Sequence, residues 1–363
     1  MKPVRTAVIG CGKIGKTHAE ALRTLSCAEL VAVCDADARR AEAFAAQFGG
    51  RPFSDTEAML REVHPEAVVI ATPHPLHAAP AVRAMEMGIH VLVEKPLAAN
   101  LRDCDAMLSA ARKHGVKLGV ISQRRFYEPV LRMKAAIEAG KIGRPMLGVF
   151  IMYSWRDAAY YQSDPWRGKW DTEGGGVLVN QSPHMLDLLQ WFMGPIDEIS
   201  GAWANINHPG IEVEDTAVAT IRFQSGGLGS IVTSVSQQPG IYTKVHIHGS
   251  NGASIGVETD RGATFIAGVS AIGEPALNDI WTIPGEEHLL AEFQAEDRAR
   301  FRQGDPVVRY HGLQIQDFLQ AIREDRPPRV TGEDGRVVVE MFTAIYRSHK
   351  EGRPVKLPIA ANA

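Results

Sequence analysis

"AVIGCGKIGKTH", residues 7–18, decides the fold. A short apolar run stops at Gly10, two further glycines follow at Gly12 and Gly15, and a helix-forming segment begins. Gly10 permits a tight turn after a strand. Gly12 leaves no side chain in the path of a pyrophosphate, and Gly15 lets helix and strand pack closely, with Lys13 and Ile14 between them. The glycines alone are a weak signal. Their context strengthens it, because the next apolar run, "AELVAVCD", ends in Asp35, where a carboxylate accepts hydrogen bonds from an adenosine ribose. That carboxylate repels a 2′-phosphate and favours NAD over NADP, a preference that Arg39 and Arg40 nearby temper.

Working outward, "EAVVIATP", "HVLVEKP" and "KLGVIS" continue the series of Val- and Ile-rich runs, with Ala-rich helical segments between them. Continuous apolar strands separated by helices imply a parallel sheet covered on both faces. Right-handed crossovers then give a doubly wound α/β domain over residues 1–122. The texture changes beyond residue 122. "PMLGVFIMYSW", "EISGAWANIN", "DTAVATIRFQSGG", "LGSIVTSVSQ", "TKVHIHGSNG" and "ASIGVETD" read as strands joined by GG, PG and NG turns. Residues 123–363 are therefore expected to form an α+β domain with a large, mainly antiparallel open sheet. Helices are expected at about 286–303, 310–324 and 333–351, the last a candidate to pack back on the first domain.

Composition narrows the function. A net charge of −3 makes no case for a nucleic-acid footprint, and no apolar run reaches membrane-spanning length. Cys11, Cys27, Cys34 and Cys104 lack CxxC spacing and read as reduced thiols, not as a disulfide frame or zinc site. His246 and His248 alternate along a strand without an evident carboxylate partner, so no metal is expected there. A cytoplasmic, soluble protein is the expectation.

Glu94, Lys95 and Pro96 end the "HVLVEKP" strand run, and carboxyl ends of strands in open α/β sheets are where ligands bind. Proline biases Lys95 towards extended geometry. Its ammonium there stabilises a developing alkoxide. A surface lysine paired with Glu94 accounts for the same residues.

Taken together, "GCGKIGKTH", "VIATPHPLHAAPAVRAMEMGIHVLVEKP", "RRFYEPVLRMKAAIEAGKIGRP", "PWRGKWDTEGGGVLVNQSPHMLDLLQW" and "YRSHKEGRPVKLP" resemble the Gfo/Idh/MocA oxidoreductases along almost the whole chain. The resemblance implies an N-terminal Rossmann domain and a C-terminal sheet that commonly forms oligomer contacts, here a dimer or tetramer. It also implies hydride transfer between nicotinamide and a hydroxyl-bearing carbon of a sugar or cyclitol. By motif, Gly10, Gly12, Gly15 and Asp35 would hold the dinucleotide. Thr72, Pro73 and His77 would line the cofactor edge, Glu94 and Lys95 would reach the nicotinamide end, and Trp166 and Arg167 match a pair near the cofactor.

In the family, the glycine-started segment reads roughly GGGxLxDxGxHxxD. This chain has Asn180 for the first Asp, Ser182–Pro183 before His184, and Asp187 after it. Asn180 cannot exchange a proton at neutral pH but does hydrogen-bond a hydroxyl. Proton removal then falls on His184, with Lys95 assisting. A continuous helix places Asn180 and His184 on one face; a fresh start at Ser182 with Pro183 as first helical residue is the alternative. Arg124 and Arg125 lie at the domain crossing, and one of them, Arg125 by choice, is expected to touch substrate. Tyr153, Trp155, Arg156, Tyr160, Trp166 and Trp170 are candidates for stacking on a sugar or for binding its hydroxyls, with subunit packing as the competing reading. A glycoside hydrolase using tightly held NAD and a non-catalytic sugar sensor are the rival functions.

Overall fold

The computed structural model describes residues 2–261, 264–266, 269–271 and 273–359. The chain forms two compact units. The first joins the residues up to Gln123 with Asp305–Val339, and the second joins Arg124–Gly304 with the segment from Glu340 onward.

In the first unit, β1 (Val4–Ile9), α1 (Lys13–Thr24), β2 (Ala28–Cys34), α2 (Ala38–Phe48), β3 (Arg51–Phe53), α3 (Thr56–Val63), β4 (Ala67–Ile70), α4 (Ala78–Glu86), β5 (His90–Val93), α5 (Leu101–His114) and β6 (Leu118–Val120) follow in turn. Every strand pairing is parallel, in the order β3-β2-β1-β4-β5-β6. β4 is buried along its whole length, as a strand covered on both faces must be. Asp37, Asp55 and Asn100 cap α2, α3 and α5 through backbone N–H groups of the first turn. Three residues containing a proline carry no periodicity, which is why β3 escapes a sequence reading; Pro52 is tolerated because β3 is an edge strand.

Helix α12 (Pro306–Arg323) packs on α1 in this first unit, although the sequence boundary at 122/123 places it in the second domain. Ile315, Phe318 and Leu319 join the core formed by Val8, Val33 and Leu92. Gln314 accepts the Ser122 N–H at 2.9 Å and donates to the Val120 carbonyl at 2.7 Å, tying α12 to the end of β6.

The second unit begins with α6 (Glu128–Glu138) and β7 (Pro145–Tyr153). The short helices α7 (Ala158–Gln162), α8 (Trp170–Glu173) and α9 (Val177–Asn180) precede α10 (Pro183–Met193). The strands are β8 (Ile196–Ala204), β9 (Thr216–Phe223), β10 (Leu228–Ser234), β11 (Tyr242–Gly249), β12 (Ser254–Thr259), the small pair β13 (Thr264–Ile266) and β14 (Val269–Ala271), and β15 (Leu277–Trp281). Helix α11 (Leu289–Phe301) comes next; α13 (Gly332–Glu351) spans the division between the units, and β16 (Val355–Lys356) follows. The main sheet runs β15-β12-β11-β7-β10-β9-β8-β16 and is antiparallel except where β7 meets β10. β9 alternates buried and exposed residues, so one face is packed and one open. α10 covers the packed face: a Cβ on Gly148 of β7 would lie 2.7 Å from both Leu189 and Met193.

Candidate active site

The glycine turn has the shape a dinucleotide needs. Gly10 sits at φ +102, and a Cβ there would lie 2.6 Å from the Ala71 backbone. At Gly15 it would lie 2.1 Å from the Gly10 carbonyl oxygen. A Cβ on Gly12 would meet nothing within 4 Å, and Gly12 is the residue that opens α1. Two glycines are thus demanded by packing and the third faces open space at a helix N-terminus, the place that favours a phosphate. Asp35 accepts the Cys11 N–H at 2.9 Å and the Asp37 N–H at 3.0 Å, so it also braces this turn. Arg40 approaches it to 3.7 Å. The four cysteines are free thiols, and burial pushes Cys11 up to about 12.

Glu94 and Lys95 follow β5 directly, with a cis bond to Pro96. Glu94 is buried; one of its oxygens takes a 2.7 Å hydrogen bond from His18 Nε2 of α1, and the other accepts the Lys95 N–H at 3.1 Å. Burial raises the carboxyl, but the His18 hydrogen bond and the His18, His311 and Lys95 charges outweigh it and hold it near 2. His311 of α12 lies 3.9 Å from the same oxygen and donates from Nδ1 to the Val307 carbonyl at 2.7 Å. Burial, reinforced by His18, pushes His311 down to about 4, so it is neutral near pH 7 and the carboxylate relies on His18 and Lys95.

Among the described residues, His18, Glu94 and His311 are the group close enough to be weighed as metal ligands. Neighbouring ligands on a tetrahedral zinc sit about 3.3 Å apart. The 2.7 Å His18–Glu94 separation is instead that of a shared proton. Glu94 is therefore an anchor for the Lys95 backbone. His77 is fully buried, its ring nitrogens 2.9 Å from the Thr72 carbonyl and 3.0 Å from the Pro96 carbonyl. It straps together the loops after β4 and β5. Thr72 and Pro73 lie half-buried on the loop that it holds.

In the second unit the glycine-started segment makes two helices. α9 ends at Asn180, and α10 restarts with Pro183 at its first position, where a missing N–H costs nothing. Ser182 stands at the N-cap position but makes no side-chain cap; its hydroxyl pairs with Thr233 at 2.8 Å. His184 is buried on the first turn of α10. Asp187 makes a buried two-point pair with Arg125, at 2.8 and 2.5 Å, and the guanidinium lies 4.8 Å from the Trp191 ring. Arg125 thus spends its charge holding α10. Arg124 pairs with Asp260 at 2.9 Å and donates to Thr259 at 2.6 Å.

Around Asn180 lies a polar cluster only partly legible in the sequence. Asn180 Nδ2 donates to Glu173 Oε1 and, at 3.2 Å, to the Tyr160 hydroxyl oxygen. That oxygen also receives Arg167 at 2.6 Å and Gln181 at 3.0 Å. Arg167 lies 4.4 Å from the Tyr160 ring and 4.5 Å from Trp166, and Arg156 covers Tyr160 at 5.2 Å. Tyr153 packs on Tyr242, Trp155 on His208, and Trp170 on Trp203 and Tyr346, as packing residues do.

Glu214 escaped the sequence reading. It takes N–H groups from Gly176 and Leu178 at 2.9 Å each, and the Tyr346 hydroxyl at 2.8 Å. Burial, resisted by these bonds, raises it to about 7. It fixes the loop that carries α9. His246 does have a carboxylate partner, Asp279 at 2.8 Å, contrary to expectation; β15, which supplies it, gave no strand signal.

Comparison with known proteins agrees with this geometry. Residues 4–122 match the model of an oxidoreductase family with an NAD-binding Rossmann fold, and residues 134–357 match that family's C-terminal alpha/beta domain. The chain is 28% identical to the myo-inositol 2-dehydrogenase of Thermotoga maritima, with 98% of each chain covered. It is also 28% identical to the scyllo-inositol 2-dehydrogenase (NAD(+)) of Bacillus subtilis, covering 98% of this chain and 97% of that one. A solved structure of the WlbA dehydrogenase from Bordetella pertussis, in complex with NADH and UDP-GlcNAcA, superposes with a TM-score of 0.87 at 30% identity over 99% of both chains.

Proposed function

The chain belongs to the Gfo/Idh/MocA family of NAD-dependent oxidoreductases, and from that premise we propose that it oxidises a secondary hydroxyl of a sugar, sugar derivative or cyclitol. The observation that carries the reading is the glycine turn, closed by packing at Gly10 and Gly15 and open at Gly12, beside the Asp35 carboxylate. Those residues would hold the dinucleotide, which supplies the hydride acceptor. His184 takes the hydroxyl proton. The Lys95 ammonium stabilises the developing alkoxide, and Asn180 binds a neighbouring hydroxyl without exchanging a proton. Relatives named as inositol dehydrogenases along the full length support a polyhydroxy ring as substrate.

A second copy of the chain is the proposed occupant of the open sheet face. Leu147, Val218 and Leu228 are each more than two-fifths exposed there, and Ile151 pairs in register with Val232 beside them. A cytoplasmic location completes the reading; no described helix is long and apolar enough to cross a membrane.

The test is NADH formation by the purified protein against cyclitols and pyranoses, repeated with His184→Ala and Lys95→Ala. Each variant is expected to lower kcat by about 100-fold or more. Undiminished turnover in either would remove that residue from the chemistry.

A further inference from the structure

We propose that His18 is a positioning residue for Lys95: through the Glu94 carboxylate it fixes the peptide from which the lysine side chain leaves, and so ties that lysine to helix α1. This rests on the dehydrogenase reading above, in which Lys95 stabilises the developing alkoxide and the first turn of α1 takes the pyrophosphate.

The main chain shows why a side chain is needed at this point. The Glu94 N–H donates to the Ile70 carbonyl at 2.9 Å and continues the parallel ladder one residue beyond β5. The next N–H, that of Lys95, goes to the Glu94 side chain at 3.1 Å. Glu94 Oε2 thus stands where a neighbouring strand's carbonyl would. Pro96 has no N–H to offer, and His77 holds its carbonyl at 3.0 Å.

Burial alone would raise the Glu94 carboxyl; the His18 hydrogen bond, 2.7 Å to the other oxygen, leads the contacts that hold it near 2 instead. His18 is itself fully buried. His311 is not placed to take over. Its ring stands edge-on to His18 with 5.3 Å between centroids, its Nδ1 serves the Val307 carbonyl, and its Nε2 lies 3.9 Å from Glu94. Without His18 the buried carboxylate must take up a proton or turn towards water. Either change weakens its hold on the Lys95 N–H.

Position along α1 separates this role from cofactor binding. Gly12 opens the helix, and His18 lies about 9 Å further along its axis. Loss of His18 should therefore be felt in turnover and not in NAD affinity. A pair that merely cemented α1 to the sheet would show the reverse, a lower melting temperature with kcat unchanged.

The test compares His18→Gln, His18→Asn and His18→Leu in the full chain. The first keeps an amide N–H about where Nε2 stands, the second is one carbon too short to reach Glu94, and the third offers no donor. One readout needs neither substrate nor cofactor: hydrogen exchange of the Lys95 amide, read by mass spectrometry on overlapping peptides. Exchange should quicken about tenfold in His18→Asn and His18→Leu and stay near the parent rate in His18→Gln. The other readout is kinetic. On any polyol the parent chain oxidises, His18→Asn and His18→Leu should lower kcat about 10- to 100-fold with the Kd for NAD within about threefold, and His18→Gln should recover most of the loss. Added to Lys95→Ala, His18→Leu should cost less than about threefold more, because both act through one group.

His18→Gln and His18→Asn carry the test alone should His18→Leu fail to fold. An unchanged Lys95 exchange rate in His18→Asn, a kcat loss that His18→Gln does not recover, or one that adds in full to Lys95→Ala overturns the proposal. If the parent chain oxidises no polyol at all, the dehydrogenase reading fails separately, and the exchange rate still judges the link from His18 through Glu94 to Lys95.

Discussion

Gly12 and Gly15 look alike in the sequence and do different things. Gly15→Ala drives a Cβ into the Gly10 carbonyl at 2.1 Å and is expected to cost about 1–3 kcal/mol of stability. Gly12→Ala meets no protein atom within 4 Å and keeps an ordinary φ of −78. Its melting temperature should stay within about a degree of the parent chain, while NAD affinity, read by titration calorimetry, should fall about tenfold, or roughly 1.4 kcal/mol. Equal affinity in Gly12→Ala would mean that the pyrophosphate lies elsewhere. These glycines were legible because their role depends on neighbours in the chain. The roles of His18, Glu173 and Glu214 were not, because each is defined by a partner that only folding delivers; Glu94 stands 76 residues from His18.

At the scale of elements, buried ionisable groups bind particular segments, and two of them pull stability in opposite directions with pH. His311 ties α12 to the Glu94 turn and stays neutral down to about 4. Between about pH 6.5 and 4 the unfolded chain takes a proton there and the folded one does not, so His311 costs stability as pH falls, by about 3 kcal/mol in full. Glu214 holds the α9 loop and keeps its proton up to about 7. Between about pH 4.3 and 7 the folded state binds the extra proton, so Glu214 costs stability as pH rises, by a similar amount. Urea unfolding across this range should therefore show opposite changes in slope for His311→Gln and Glu214→Gln. The same sign in both would contradict these assignments. The break between α9 and α10 was half legible. Pro183 marked the restart, but whether Ser182 capped it depended on Thr233, 51 residues away.

Over the whole molecule, the parallel order of the first sheet and the antiparallel character of the second followed from apolar runs and turn residues. The return of α12 to the first unit did not, since an amphipathic helix does not announce which core its apolar stripe will join. The open sheet face makes a prediction at this scale. Val232→Lys, beside Ile151 and Val218 in register, places a charge in the proposed contact between copies. Light scattering should show a smaller assembly than for the parent chain; an unchanged mass would move the contact off that face. The central claim, a polyol dehydrogenase using NAD, is tested most directly by incubating the purified protein with NAD and a panel of cyclitols, free pyranoses and glycosides, then quantifying NADH and carbonyl product together. One compound class giving the two in equal amounts is the predicted result. Release of free sugar from a glycoside with no net NADH, or binding of NAD and sugar without turnover of any compound, would contradict it.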